Sequence, residues 1–321
     1  MKSIHTVLYN FFIDRINVSK MGKMERLGAN YIDTFRTYAG KAVMTQKELN
    51  EALADMLHSK QPFMAARFGA TELLCASMFE FEINFRKEPA MKRLCNFSGF
   101  FPCDLELGCR FNDIIKQSCS NLDILGIWAL RFEEYYIKKY ANSNVRLTTL
   151  DSLDPWLFPE KPWSGALEGK KVLIIHPFSK SIIQQYSRRE LIFPGTQILP
   201  EFELKTLKAV QTVAGEKDER FESWFHALEH MFKEAMQLDF EAAIIGCGAY
   251  GMPLASMIKE AGRQAIHLGG STQILFGIKG KRWENPNRLN QPTRFFNDAW
   301  IRPEESERPK NFDSVEDGCY W

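Results

Sequence analysis

The stretch "RFGATE" places a planar cation, a permissive turn residue and a carboxylate within six positions, at Arg67, Gly69 and Glu72. The apolar run "FMAA" leads into it, so the charged groups stand where a buried element ends. An arginine there can clamp a phosphate or a carboxylate through its fork of N–H donors. A glutamate can take a proton from an attacking hydroxyl, or supply one of the carboxylates that hold magnesium against substrate phosphates. The same residues also suit an ordinary strand-to-helix turn, in which Glu72 sits near the positive end of a helix dipole and pairs with Arg67.

Four other stretches carry chemistry-bearing residues. "GCGAYG" holds Gly246, Gly248, Tyr250 and Gly251 between a strand pattern and a helix pattern, the setting in which glycines bring a phosphate close to backbone N–H groups. A dinucleotide fold wants an acidic residue about 20 positions on. His267 and Leu268 stand there, which counts against a nicotinamide oxidoreductase. "HPFSK" places His176, Ser179 and Lys180 at the end of a second apolar run, and "GIKGKRW" gathers Lys279, Lys281 and Arg282 in a basic loop suited to a diphosphate or to solvent. "HALEH" puts His226 and His230 on one helix face, but with no third ligand in view it reads as ordinary helix surface.

The elements that must position these groups follow from periodicity. Thr45 and Glu48 have capping-box spacing ahead of Leu49, Leu53 and Met56 at helical intervals. A strand is expected over 63–67, a turn over 68–70 and a helix from Thr71. A helix then leads to a buried strand over 122–128, a second helix over 132–141 and a strand over 145–150. Residues 151–170, with three prolines and two tryptophans, read as a connection between halves. Beyond it come a strand from Lys170, a helix, a further strand within 200–212, a long amphipathic helix and a strand–turn–helix–strand unit over 240–270. Near-continuous apolar strands alternating with helices predict an α/β fold, a Rossmann-like parallel sheet with helices on both faces. The expected division is a helical N-terminal segment over 1–60, a Rossmann-like domain over 61–283 and an extended C-terminal tail over 284–321. In open sheets of this kind ligands bind beyond the carboxyl ends of the strands, which would gather Arg67, Glu72, His176, Gly246 and His267 on one side.

A net charge of +1 gives no electrostatic case for nucleic acid as the main partner. Seven cysteines with no CxxC pair argue against a disulfide framework or a zinc ribbon and for a reducing compartment. No stretch reaches the roughly 18 apolar residues that read as a membrane span, and the first twenty residues make a poor signal peptide. The expected location is cytoplasmic, with the N-terminal segment able to rest at the inner membrane face.

"RFGATE", followed much later by "IIGCGAYGMPLASMIKEAGRQAIHLGGSTQILFGIKGKRW", resembles the GT-D fold glycosyltransferases, in a divergent branch from surface-polysaccharide gene clusters. The resemblance covers about 62–283. It implies a Rossmann-like enzyme that moves a sugar from a nucleotide-sugar donor to a glycan, lipid-linked or protein acceptor hydroxyl. It also implies a turn reading R-F-G-D-G-E, whose two carboxylates serve a manganese or magnesium ion and the donor diphosphate. Arg67, Phe68, Gly69 and Glu72 match that turn, whereas Ala70 replaces the aspartate, leaving Glu72 as the one metal-associated carboxylate. On this resemblance Arg67 and Glu72 are the catalytic pair, and Gly69, His176, Ser179, Lys180, Gly246, Gly248, Tyr250, Gly251, His267, Lys279 and Arg282 are the donor-binding set. The rival expectation is a non-catalytic Rossmann-like protein that binds a nucleotide or a partner.

Overall fold

The computed structural model describes residues 35–284, 292–309 and 318–321. The first half contains β1 (Thr37–Tyr38), β2 (Lys41–Met44), α1 (Gln46–Ser59), β3 (Phe63–Arg67), α2 (Ala70–Glu80), α3 (Asn84–Ser98), α4 (Gly108–Ser120), β4 (Ile124–Ile127), α5 (Glu133–Tyr140) and β5 (Arg146–Thr149). The second half contains β6 (Lys171–His176), α6 (Ser179–Tyr186), β7 (Glu203–Lys208), α7 (Trp224–Met236), β8 (Ala242–Ile245), α8 (Gly251–Glu260), β9 (Gln264–His267) and α9 (Ser271–Leu275). They form one nine-stranded sheet in the order β1-β2-β5-β4-β3-β9-β8-β6-β7, parallel throughout except for the β1–β2 pair.

Side chains alternate across this sheet and divide the core in two. Met64, Ala66, Leu125, Leu173, Ile175, Ala243 and Ile245 face the layer that includes α2, α3, α4, α5, α7 and α8. Phe63, Ala65, Ile124, Val172, Ile174, Ala242 and Ile244 face the opposite layer, with α1, α6 and α9. Burial on both faces explains why the central strands read as unbroken apolar runs. The α/β class, the parallel sheet and the helices on both faces are as the sequence indicates.

The differences lie at the edges. Of the N-terminal segment, residues 1–34 lie outside the described residues. The rest is not purely helical, since β1 and β2 extend the sheet beside β5. These strands are two and four residues long and partly exposed, too short for a period of two to register. α1 begins with the expected capping box, with the Glu48 side chain accepting from the Thr45 N–H at 2.7 Å. Helix α3, with Pro89 within it, was not anticipated. The 151–170 connection is packed rather than free. Short 3-10 turns at Leu150–Leu153, Pro155–Leu157 and Trp163–Leu167 bury Trp156 and Trp163 completely. Of the C-terminal tail, 285–291 and 310–317 lie outside the described residues, while Trp300 and Trp321 are buried in the α1/α6/α9 layer.

Asn50 fastens the connection to α1. Its Oδ1 accepts from the Trp163 N–H at 2.6 Å, and its Nδ2 donates to the Gln46 carbonyl at 2.8 Å, with the residue only 2% exposed. Removing it leaves a buried N–H without its partner, a loss of about 1–3 kcal/mol. Asn50→Ala is expected to lower the urea midpoint accordingly, and an unchanged midpoint would show that water replaces the contact.

Candidate functional site

β6 leads outward to β7, whereas β8 leads the opposite way to β9. The connections leaving these two neighbouring parallel strands therefore diverge between β6 and β8, the place where an open α/β sheet leaves a crevice at its carboxyl edge. Two adjoining cavities open along that edge, with about 860 Å³ and 650 Å³ of non-atom space, mouths included. They share Phe97, Ser98, Gly248, Gly269, Gly270 and Tyr320.

The first cavity is the polar one and is built on the end of β3. Its wall includes Arg67, Gly69, Glu72, Trp128, His267 and Arg282. The Arg67 guanidinium lies over the Trp128 ring at 4.9 Å, and its Nε donates to the Phe68 carbonyl at 3.2 Å. Trp128 Nε1 donates to that same carbonyl at 3.1 Å. A side chain at Gly269 would meet Arg67 Nη1 at 2.7 Å, so the glycine makes room for the guanidinium. Burial lowers the Arg67 pKa from its ordinary value, opposed chiefly by the Glu72 carboxylate. The Glu72 side chain folds back over the start of its own helix. A Cβ at Gly69 would lie 1.9 Å from Glu72 Oε2, so the glycine leaves the space that the folded-back carboxylate occupies. Ala70 is exposed beside it and brings no second carboxylate.

The other carboxyl group near Arg67 was not anticipated. Asp154, in the turn after β5, interacts with Arg67 and with the Ser271 side chain. Burial first, and then the neighbouring Asp151, raise its pKa well above the usual carboxylate range. "DSLD" follows a predicted strand, so the strand-end rule applied to Arg67 would also have singled out Asp151 and Asp154. Trp128 stands just past β4 and was missed in the same way.

The second cavity is more apolar. His176, Phe178, Val210, Gly246, Gln273 and Trp321 are among its walls. His176 Nδ1 accepts from the Phe178 N–H at 3.0 Å. Burial lowers the pKa of both His176 and His267 to about 3, helped at His267 by the charge of Arg67, so both rings are neutral near pH 7.

The remaining anticipated residues divide by position. The glycines of "GCGAYG" are approached by the protein itself. A Cβ at Gly246 would meet the Gly269 carbonyl at 2.4 Å, and one at Gly251 would meet His267 Nε2 at 2.3 Å. Tyr250 lines the second cavity but is 1% exposed and stacks on Trp224 at 5.0 Å. Ser179, Lys180 and Lys279 line neither cavity. The start of α6 is taken by the protein's own carboxylate, since the Lys180 and Ser181 N–H groups donate to Glu307 at 2.7 and 3.1 Å. Glu307 is 3% exposed, so that helix end is satisfied from within. Lys279 Nζ lies 5.4 Å from the Phe296 ring. Arg282, in contrast, reaches the first cavity, where its Nη1 donates to the Tyr320 hydroxyl at 3.1 Å. His226 is exposed and lies 3.6 Å from Glu222 on the surface of α7.

Among the described residues no group of three or more histidine, cysteine or acidic side chains is placed to hold a metal ion. Glu72 offers one carboxylate. A cation at that point would take most of its coordination from ligand phosphates and water. No helix among the described residues is long and apolar enough to cross a membrane.

The fold and its carboxyl-edge cavities define a Rossmann-like α/β protein with a polar and an apolar compartment side by side. No family model matches the sequence, and no curated protein matches it as a relative. Two solved structures of domain of unknown function 1792, one described as having a distinct glycosyltransferase fold and the other its selenomethionine-substituted form, align with it. Each alignment covers 90% of this chain and 96% of the other at 12% identity, with a TM-score of 0.43.

The loop that carries Trp128 is held by a buried carboxylate. Glu133, with no exposure, accepts from the Trp128 and Leu130 N–H groups at 3.3 Å each, and burial pushes its pKa up to about 8. Between an ordinary value near 4.5 and 8 the folded chain then keeps a proton that the unfolded chain has lost. Stability is therefore expected to fall as pH rises through that window, by up to about 1.4 kcal/mol per unit. Glu133→Gln should flatten the slope in urea titrations between pH 5 and 8, and a slope identical to wild type would remove Glu133 as its source.

Proposed function

We propose that this chain is a glycosyltransferase that moves a sugar from a nucleotide-sugar donor to an acceptor hydroxyl, acting in the cytoplasm in assembly of a bacterial surface glycan. The observation that carries the reading is the convergence of Arg67, Arg282 and Glu72 on one cavity at the carboxyl edge, on the turn that resembles the donor turn of GT-D enzymes. The acceptor is a glycan, a lipid-linked saccharide or a protein.

The chemistry asks for two things. The acceptor oxygen forms a bond to the sugar's anomeric carbon as the bond from that carbon to the diphosphate oxygen breaks, so the leaving nucleotide gathers negative charge. Arg67 and Arg282 supply fixed positive charge for it, and Arg67, enclosed and held against Trp128, needs little reorganisation to do so. The acceptor hydroxyl must also lose its proton, and Glu72 on the same wall accepts it. The neutral His267 ring can hydrogen-bond the donor without altering the charge balance. A manganese or magnesium ion, where present, would be held by Glu72 and the phosphates and would add positive charge to the leaving group. The exposed Ala70 favours one alternative, a chain that binds a nucleotide and has lost transfer.

Glu72→Gln should lower turnover of a nucleotide sugar by about 10²–10⁴-fold while leaving nucleoside diphosphate affinity within a few-fold. Full activity in that variant would exclude Glu72 as the base, and absence of transfer in the wild type across donors would favour the binding-only alternative. Arg67→Lys keeps the charge but loses the fork. It should weaken nucleoside diphosphate binding, measured calorimetrically, by about tenfold or more. With EDTA present the wild type should still bind the nucleoside diphosphate through its two arginines. Complete loss, restored by manganese, would assign that charge to a cation instead.

A further inference from the structure

Among the described residues two guanidinium groups line the polar cavity, those of Arg67 and Arg282, and they are held by different means. Arg67 closes β3 and is fixed against the Trp128 ring and the Phe68 carbonyl. Arg282 comes from a short 3-10 turn after α9, Lys281–Trp283. A long side chain on such a turn has much rotamer freedom to lose before it can serve a site. The first cation also repels it. Burial does most to lower the Arg67 pKa; Glu72 and then Tyr320 raise it, and Arg282 lowers it again. Something must keep Arg282 turned inward.

The segment 318–321 meets that need. Arg282 Nη1 donates to the Tyr320 hydroxyl at 3.1 Å, and the guanidinium carbon lies 5.1 Å from the centre of the same ring. The backbones are tied as well. The Arg282 N–H donates to the Cys319 carbonyl at 3.0 Å, and the Lys281 N–H donates to the Trp321 carbonyl at 3.3 Å. Gln273 Nε2 donates to the carbonyls of Ile278, Lys279 and Tyr320 at 3.2, 3.3 and 3.2 Å, so one buried amide joins the start of the basic loop to this segment. A Cβ at Gly270 would lie 2.9 Å from Tyr320 Cε1, which seats the ring directly against the loop after β9. The phenol is fixed by its surroundings, and the arginine is fixed by the phenol.

We infer that Tyr320 is a positioning residue of the anion site: its hydroxyl holds the Arg282 guanidinium at the wall of the polar cavity, so that both arginine charges already face a diphosphate when it arrives. This rests on the nucleotide-sugar reading above and goes beyond it by assigning to the phosphate site a segment that no sequence motif marks. Charge held in place beforehand needs no reorganisation as the leaving group becomes more negative. Because Tyr320 acts through Arg282, its hydroxyl matters only while Arg282 is present.

The test is a double-mutant cycle on Tyr320→Phe and Arg282→Gln. It is read calorimetrically with inorganic pyrophosphate or, where that binds too weakly to titrate, with the tightest of UDP, GDP, ADP, CDP and dTDP. Tyr320→Phe keeps the ring and its packing and removes one acceptor. It is expected to weaken binding by about three- to tenfold. Added to Arg282→Gln, the same change is expected to have no further effect, whereas a general disturbance of the fold would weaken binding in both backgrounds. Unchanged affinity in Tyr320→Phe, an equal loss in both backgrounds, or unchanged affinity in Arg282→Gln would overturn the inference and leave the nucleotide-sugar reading standing on Arg67. A wild type that binds neither pyrophosphate nor any of the five nucleoside diphosphates would overturn both.

Discussion

A guanidinium enclosed at the end of the central strand is the constraint around which this carboxyl edge is arranged. Arg67 closes β3, next to β4 on one side and β9 on the other, so its charge lies at the middle of the sheet. A partly buried cation is tolerated only with compensation, and here it arrives from separate parts of the chain. Glu72 comes from the following helix, Asp154 from the turn after β5, the Trp128 ring from beyond β4, and space from Gly269 beyond β9. Each of these elements follows a parallel strand. The sheet's uniform direction is what brings them to one edge.

The same economy appears where the protein fills its own anion-binding positions. The start of α6 takes Glu307, which is about 130 positions away in sequence and held by Ser181 as well. The glycine turn before α8 is occupied at close range by the Gly269 carbonyl and His267. Positions that a motif search assigns to a phosphate are here used for packing. The open space lies instead over "RFGATE" and between β6 and β8. A glycine pattern reports that something comes close to the backbone, without saying whether that is a ligand or another part of the chain.

Two cavities of different polarity share a boundary and differ in how their polar groups are treated. In the first, charges oppose one another across a wall, and the histidine among them is kept neutral by burial. In the second, apolar surface exceeds polar surface, and Gln273 holds its amide in a single orientation. The segment 318–321 belongs to both through Tyr320, which also accepts from Arg282. That contact couples the basic loop after α9 to the boundary between the compartments.

Much of this protein is legible in its residues alone. The apolar runs at 63–66, 172–175 and 242–245 had to be buried on both faces, because no polar residue interrupts them, and that requires a parallel sheet with helical cover. The placement of Arg67 and Glu72 at a strand end follows from local pattern, since both are set by the five residues before them and the turn itself. Other features depend on contacts between residues more than a hundred positions apart. Trp156 and Trp163 look like linker aromatics until α1 covers them, and Lys180 looks like a ligand residue until Glu307 takes its N–H. Asp154 gains its raised pKa chiefly from the enclosure that tertiary packing creates around it, and secondly from Asp151 beside it. Sequence periodicity determines which side of an element is buried; which distant carboxylate, ring or carbonyl meets it there is decided by the order of strands in the sheet, and no local pattern encodes that order.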